Sequence, residues 1–197
     1  MAVRGEIRKD VMLMGEDIVS SERFDKARLL RHHTEEGNVA SHSISTAEYA
    51  LRMSRWLNRY GIKVNEVDAV RASLLHDLGM TEDEIFESKS SHKAYLHPEE
   101  STRIAFKEYD ANVRQLDAVL HHMWPVAGKA PHSSEGWILV AADKVTSINE
   151  VRKRAQHMIR DSVEEKRPKA RALKQKLPSK RSVKVKLKKF SGSFSSH

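Results

Sequence analysis

Cysteine is absent from the sequence. This excludes disulfide bonds and thiolate-ligated metal centres, and leaves nitrogen and oxygen as the only donors for any ion the chain holds. No stretch approaches the ~20 consecutive apolar residues of a membrane-spanning helix, so no membrane span is expected. The first ten residues mix charges and lack the apolar centre of an export signal. Together these absences predict a cytoplasmic protein. Strict alternation of apolar and polar residues is missing everywhere except 183–188, and no internal repeat is visible.

Charge is present in quantity but unevenly placed. The net charge of +8 comes from 35 basic and 27 acidic residues. Residues 151–197 hold 16 of the bases and only three of the acids, Asp161, Glu164 and Glu165. Residues 1–150 keep the other 19 bases and 24 acids, so an acidic body carries a basic tail. With 39% hydrophobic and 31% charged residues over 197 positions, the body fits one compact domain. The expected division is a helical N-terminal extension at 1–37, a central domain at 38–163 and a basic, disordered tail at 164–197.

The body reads as helices, and the fold class is all-α. Ile44, Ala47, Leu51 and Trp56–Leu57, with Ala50 and Met53 beside them, form a helical stripe over 41–60, and Gly61 ends it. A second helix is predicted at 64–78, with Val67, Val70, Leu74 and Leu75 on one face and Gly79 as its stop. Thr81 followed by three acidic or helix-opening residues predicts a cap and a short helix to about Phe86. Residues 88–95 read as a polar loop. His97-Pro98 opens a helix running to about Tyr109, where proline is tolerated early. A helix at 111–123 follows, then a loop with Pro125, Gly128 and Pro131. Ser133 or Ser134 caps a long final helix over 135–163.

Six residues stand out on this frame: His42, the adjacent His76 and Asp77, His97, His122 and Asp143. Imidazole nitrogens and carboxylate oxygens are ligands for divalent ions. Adjacent His and Asp at the end of an apolar helix both need partners once buried. Each falls near a helix end or in a helix centre, so inward projection from several helices makes a metal site. Consecutive helical positions point about 100° apart, so only one of His121 and His122 faces such a site. The stripe of Val113, Leu116, Val119 and Leu120 leaves either possible.

The segments Val39-Ala-Ser-His42-Ser, Leu74-Leu-His76-Asp77-Leu-Gly and Ala141-Ala-Asp143-Lys resemble those of the HD superfamily of metal-dependent phosphohydrolases. The resemblance covers about residues 38–150. It implies a bundle of about five core helices with flanking helices, and one divalent ion on His42, His76, Asp77 and Asp143. His97 in Leu-His-Pro-Glu-Glu and His122 in Leu-His-His-Met-Trp-Pro resemble the branch with a second ion, held by Asp77, His97 and His122, with Asp77 as the bridge. The same match selects His122 over His121. The sequence departs from the cyclic-di-GMP phosphodiesterase subgroup: Met123-Trp-Pro follows the paired histidines, and Met80 follows Gly79. It is similar instead to small stand-alone bacterial members with a His-Met-Trp-Pro segment.

The resemblance implies hydrolysis of a phosphate ester of a nucleotide or another small phosphorylated metabolite. A bound divalent ion lowers the pKa of water from ~15.7 toward ~7 and so supplies hydroxide at neutral pH. Asp77, Lys93 and Lys144 are the candidate catalytic residues; Lys93, Lys144, His92 and Trp124 are candidates for binding substrate. Trp124 could equally be packed at a helix end. Manganese, iron, magnesium, cobalt and zinc all suit the ligands. Some HD-fold proteins hold two irons with the same ligand set and oxidise small substrates with dioxygen, which is the alternative; a non-catalytic nucleotide sensor is a third reading. His32, His33 and His132 read as polar surface. The tail's lysines suit nonspecific contact with nucleic acid.

Overall fold

A computed structural model describes residues 2–32, 34–87 and 90–176, with side chains described except at 2–4, 32–36, 84, 86, 90–93 and 165–176. The fold is all-α. It divides into two compact units, residues 1–152 and 153–197.

The first unit begins with α1 (Ala2–Met14), α2 (Glu16–Val19) and α3 (Glu22–Leu29). A short antiparallel ribbon, β1 (Arg31–His32) with β2 (Thr34–Asn38), pairs Arg31 with Asn38. The N-terminal helices share the main core. Ile7, Val11, Ile18, Val19 and Phe24 are buried in one cluster with Leu51, Leu74, Leu75 and Leu139. Residues 1–37 thus help to build the body itself.

The central helices, α4 (Val39–Arg59) and α5 (Glu66–Leu75), pack along each other. Asn38 starts α4 two residues earlier than its apolar stripe predicts. Its side chain accepts from the Ser41 backbone N–H at 2.8 Å, and Ser41 Oγ accepts from the Asn38 N–H at 3.1 Å. This reciprocal cap satisfies two N–H groups that no helical carbonyl can reach. Two residues placed on apolar faces turn out exposed: Trp56, at 57%, stacks on Tyr60, and Val67 is 43% exposed. Both sit on the solvent side of helices whose other side packs, with Val64 and Ala69 buried in a second cluster beside Ala50, Ile138 and Ala142 and Leu57 against it.

Helix α5 stops at Leu75, three residues short of the predicted end, and a 3₁₀ turn, η1 (Leu78–Thr81), follows. Thr81 does not cap a helix as expected. Its hydroxyl donates to the Leu78 carbonyl and accepts from Arg23. Arg23 also pairs with Glu82 and Glu108, tying α3 to the turn and to the helix beyond it. Helix α6 spans Asp83–Glu87.

Helix α7 covers Ser90–Tyr109, so the loop expected through Tyr95 is helical from residue 90, and Pro98 sits inside the helix rather than at its start. Within a helix proline forgoes its own N–H, which leaves the Ala94 carbonyl without its helical partner, and its ring crowds that carbonyl; the helix runs through Pro98 all the same.

Helix α8 (Val113–His121) is capped by Asn112, whose Oδ1 accepts from the N–H groups of Arg114 and Gln115. Buried Asp68 on α5 accepts from Asn112 Nδ2 and Gln115 Nε2, both at 2.7 Å, and fixes α8 against α5. Helix α9 spans Ser134–Lys176, with Ser133 Oγ accepting from the Gly136 N–H. It continues well past the predicted stop at 163. Apart from Pro168, residues 164–176 are Glu, Lys, Arg, Ala, Leu and Gln, all of high helix propensity. Residues 177–197, including the alternating segment 183–188 and much of the lysine-rich tail, lie outside the described residues. Among the described residues no helix is long and apolar enough to cross a membrane.

At Gly79 the backbone of η1 lies directly against that of α7. The Gly79 N–H donates to Ser101 Oγ at 2.8 Å, and a Cβ there would stand 2.4 Å from the His97 carbonyl oxygen. Gly79→Ala is expected to cost about 1–3 kcal/mol by overpacking two backbones that cannot yield cheaply. Urea unfolding of the two proteins checks this; equal midpoints would show that the turn and the helix separate freely.

Candidate metal centre

The six residues singled out by type and spacing converge in the first unit. His42 sits in the first turn of α4, 1% exposed; His76 follows the end of α5, 1% exposed; Asp77 precedes η1, 4% exposed. His97 lies within α7 and His122 just after α8, at 6% and 1%. Asp143, in α9, keeps 14% of its side chain exposed.

Asp77 stands at the centre, and its two oxygens face different histidines. Oδ2 is 3.3 Å from His76 Nε2 and 3.9 Å from His42 Nε2. Oδ1 is 3.3 Å from His97 Nε2 and 3.7 Å from His122 Nε2. Asp143 Oδ1 joins the first side, 3.0 Å from His42 Nε2 and 3.9 Å from His76 Nε2. Two sets of three donor atoms lie within 4.8 Å of one another: His42, His76 and Asp143, and His76, Asp77 and His122. His76 contributes to both sets, whereas the resemblance gives it to one ion alone.

The rings are held so that nitrogen lone pairs face the centre. His76 Nδ1–H donates to the Ser73 carbonyl at 2.8 Å, which makes Nε2 the acceptor nitrogen. That Nε2 is buried with no hydrogen-bond partner. His122 Nδ1–H donates to the Val119 carbonyl at 2.7 Å, so its Nε2 is also a lone-pair donor, 3.0 Å from His97 Nε2. A buried, partnerless acceptor is unfavourable among protein groups alone, whereas the His122 Nε2 lone pair can accept from His97 Nε2–H. A cation among these nitrogens would satisfy His76 Nε2 and take the place of that ring proton.

The electrostatics point the same way. Burial pulls His42 toward its neutral form, but hydrogen bonds to Asp143 and Glu150 and the charge of Asp77 prevail and push its pKa up to about 10. His122 moves oppositely, to about 3, through burial and the neighbouring His97 and His76. Burial pushes Asp143 up, yet the hydrogen bond from His42 and the other histidines hold its carboxyl well below the usual carboxylate range. The acidic side demands positive charge, and the far side presents neutral imidazole. A divalent ion meets both requirements.

Glu150 was not foreseen. Its Oε1 accepts from His42 Nδ1–H at 3.1 Å, one face of α9 further on from Asp143. A carboxylate behind a ligating imidazole fixes ring and tautomer. The spacing Asp143-x6-Glu150, two helical turns on the same stripe, was the available signal.

Lys144 is half-buried and makes no hydrogen bond or ion pair among the described residues. The side chains of His92 and Lys93 lie outside those described; their backbone belongs to the first turn of α7. Trp124 packs edge-on against Trp137, ring centroids 4.9 Å apart. His121 turns away from the centre, its Nδ1 3.0 Å from Asp117 Oδ1, which leaves His122 as the inward histidine of the pair.

Comparison with known proteins adds one finding. Comparisons with curated proteins and with solved structures each give no match. The family model of the HD domain matches residues 39–148, which takes in His42, His76, Asp77, His97, His122 and Asp143 and ends two residues before Glu150. With more than half of its length matched and its histidines and aspartates gathered into groups that can hold a divalent ion, the chain belongs to the HD domain family.

Proposed function

We propose that the protein is a metal-dependent phosphohydrolase that cleaves a phosphate ester of a nucleotide or another small phosphorylated metabolite. The observation that carries the reading is Asp77, one carboxylate with each oxygen turned to a different pair of histidines. His42, His76, Asp77 and Asp143 would hold one divalent ion, and Asp77, His97 and His122 a second. Bound there, such ions supply Lewis acidity and activate water near neutral pH.

The protein groups do the rest. Buried walls around Asp77 keep bulk solvent from the reacting atoms. Asp77 orients both halves of the site at once. Glu150 holds the His42 ring through Nδ1–H, which leaves Nε2 to face inward. Lys144, which follows Asp143 in the sequence of α9, is the proposed cation for the phosphoryl oxygens, and Lys93, one turn before His97 on α7, a second.

Three experiments test this. Metal-stripped protein reloaded with manganese, magnesium, cobalt or iron is expected to release phosphate from at least one member of a panel of nucleotides and sugar phosphates. Iron-dependent oxygen consumption without phosphate release would replace the reading with an oxygenase. By elemental analysis, Asp77→Ala is expected to lose both ions and His122→Ala only one; two ions retained in Asp77→Ala would remove the bridge. Glu150→Gln is expected to weaken metal affinity about 10–100-fold while all six ligands remain, measured by competition with a chelator.

A further inference from the structure

Outside this centre, α8 and the turn before α9 bring together Asp117, His121 and His132. We propose that these three residues form a separate site for a late first-row divalent ion such as zinc, nickel or cobalt. His121 Nδ1 lies 3.0 Å and His132 Nδ1 2.9 Å from the same oxygen, Asp117 Oδ1. The two rings meet edge to face with centroids 5.5 Å apart. All three donor atoms lie within 4.8 Å of one another.

The placement is built rather than accidental. Asp117 and His121 are i and i+4 on α8 and so share a face. The other carboxylate oxygen, Oδ2, is committed to the turn: it accepts from the N–H groups of His132 and Ser133 at 3.0 and 3.1 Å and from Ser133 Oγ at 3.0 Å. That anchoring fixes the backbone of His132; Oδ1 takes both imidazoles and a longer contact from the His132 N–H at 3.4 Å, and His121 Nδ1 also lies 3.0 Å from the Asp117 carbonyl oxygen. With metal–ligand bonds of about 2.1 Å, neighbouring ligand atoms stand about 3.0 Å apart in octahedral and about 3.4 Å in tetrahedral geometry. The N···O separations are already of that size, so an ion can replace the two ring protons with little movement of the chain. His132, with 78% of its side chain exposed, leaves room for water to complete the shell. Two imidazoles and one carboxylate suit zinc, nickel or cobalt better than magnesium or calcium.

Occupancy would clip the last turn of α8, which leads into His122, to the turn that starts α9, which carries Asp143. The site is therefore a brace outside the centre and shares no ligand with it.

Zinc titrated into the metal-stripped full-length chain tests the proposal. His132→Ala is expected to bind one equivalent fewer, or to bind that equivalent about tenfold or more weakly, with the other equivalents unchanged. Asp77→Ala is expected to keep the equivalent that His132→Ala loses. Because His132 is exposed, its replacement should leave the helical circular dichroism intact. Equal zinc stoichiometry and affinity in the wild type and His132→Ala would overturn the proposal.

Discussion

A single carboxylate, that of Asp77, sets the terms for the fold around it. Its two oxygens face histidines carried by four different segments, so α4 must begin, α5 and α8 must end and α7 must pass at the right place. In an unbroken helix His76 and Asp77 would point about 100° apart. Instead α5 stops at Leu75; His76 keeps a helical φ/ψ of −58°, −32°, while Asp77 moves to −108°, 8°. That bridge-region backbone swings its carboxylate back within 3.3 Å of His76 Nε2. The 3₁₀ turn that follows brings Gly79 onto the α7 backbone beside His97. The break in α5 is thus the step that turns an adjacent pair in sequence into a joint between two halves of a site.

Gathering four imidazoles and two carboxylates in a protein interior is costly, because each group loses its water. Part of that cost is offset by fixed donors and acceptors: the Ser73 and Val119 carbonyls and the Glu150 carboxylate each take a ring N–H. The scaffold adds a second buried network away from the centre. Asp68, Asn112 and Gln115 lock α5 to α8 with two 2.7 Å hydrogen bonds, and so hold His76 and His122 at a set separation. The His76 and His122 rings stand 4.9 Å apart, nearly perpendicular.

The helices and the six inward residues were legible because apolar periodicity and residue type both report burial directly. Leu51, Leu74 and Leu75 are all fully buried. Boundaries were less legible. Local propensity does not reveal that Asn38 and Ser41 cap each other, nor that Pro98 lies within a helix begun at Ser90. Glu150 was missed for a related reason: a glutamate on a polar-rich helix reads as surface until the helix is placed against His42. His132 was taken as polar surface, and it is exposed; its alignment with His121 on Asp117 depends on a turn whose shape only the folded chain supplies. Between His121 and His122, apolar periodicity left the choice open and the family resemblance picked His122; the fold turns His121 to Asp117 instead.

Charge balance is what links the site to the class of substrate proposed for it. Asp77, Asp143 and Glu150 together bring three negative charges, and the histidines, acting as neutral ligands, bring none. Two divalent ions would supply four positive charges. The sum would leave a site about one charge positive, buried on most sides, where low dielectric strengthens any uncompensated charge. An anionic substrate would offset that excess, whereas a neutral one would leave it standing in the interior. The same ligands around two irons face the same balance, so charge favours an anionic substrate under either chemistry, and a phosphate ester is one occupant that fits it.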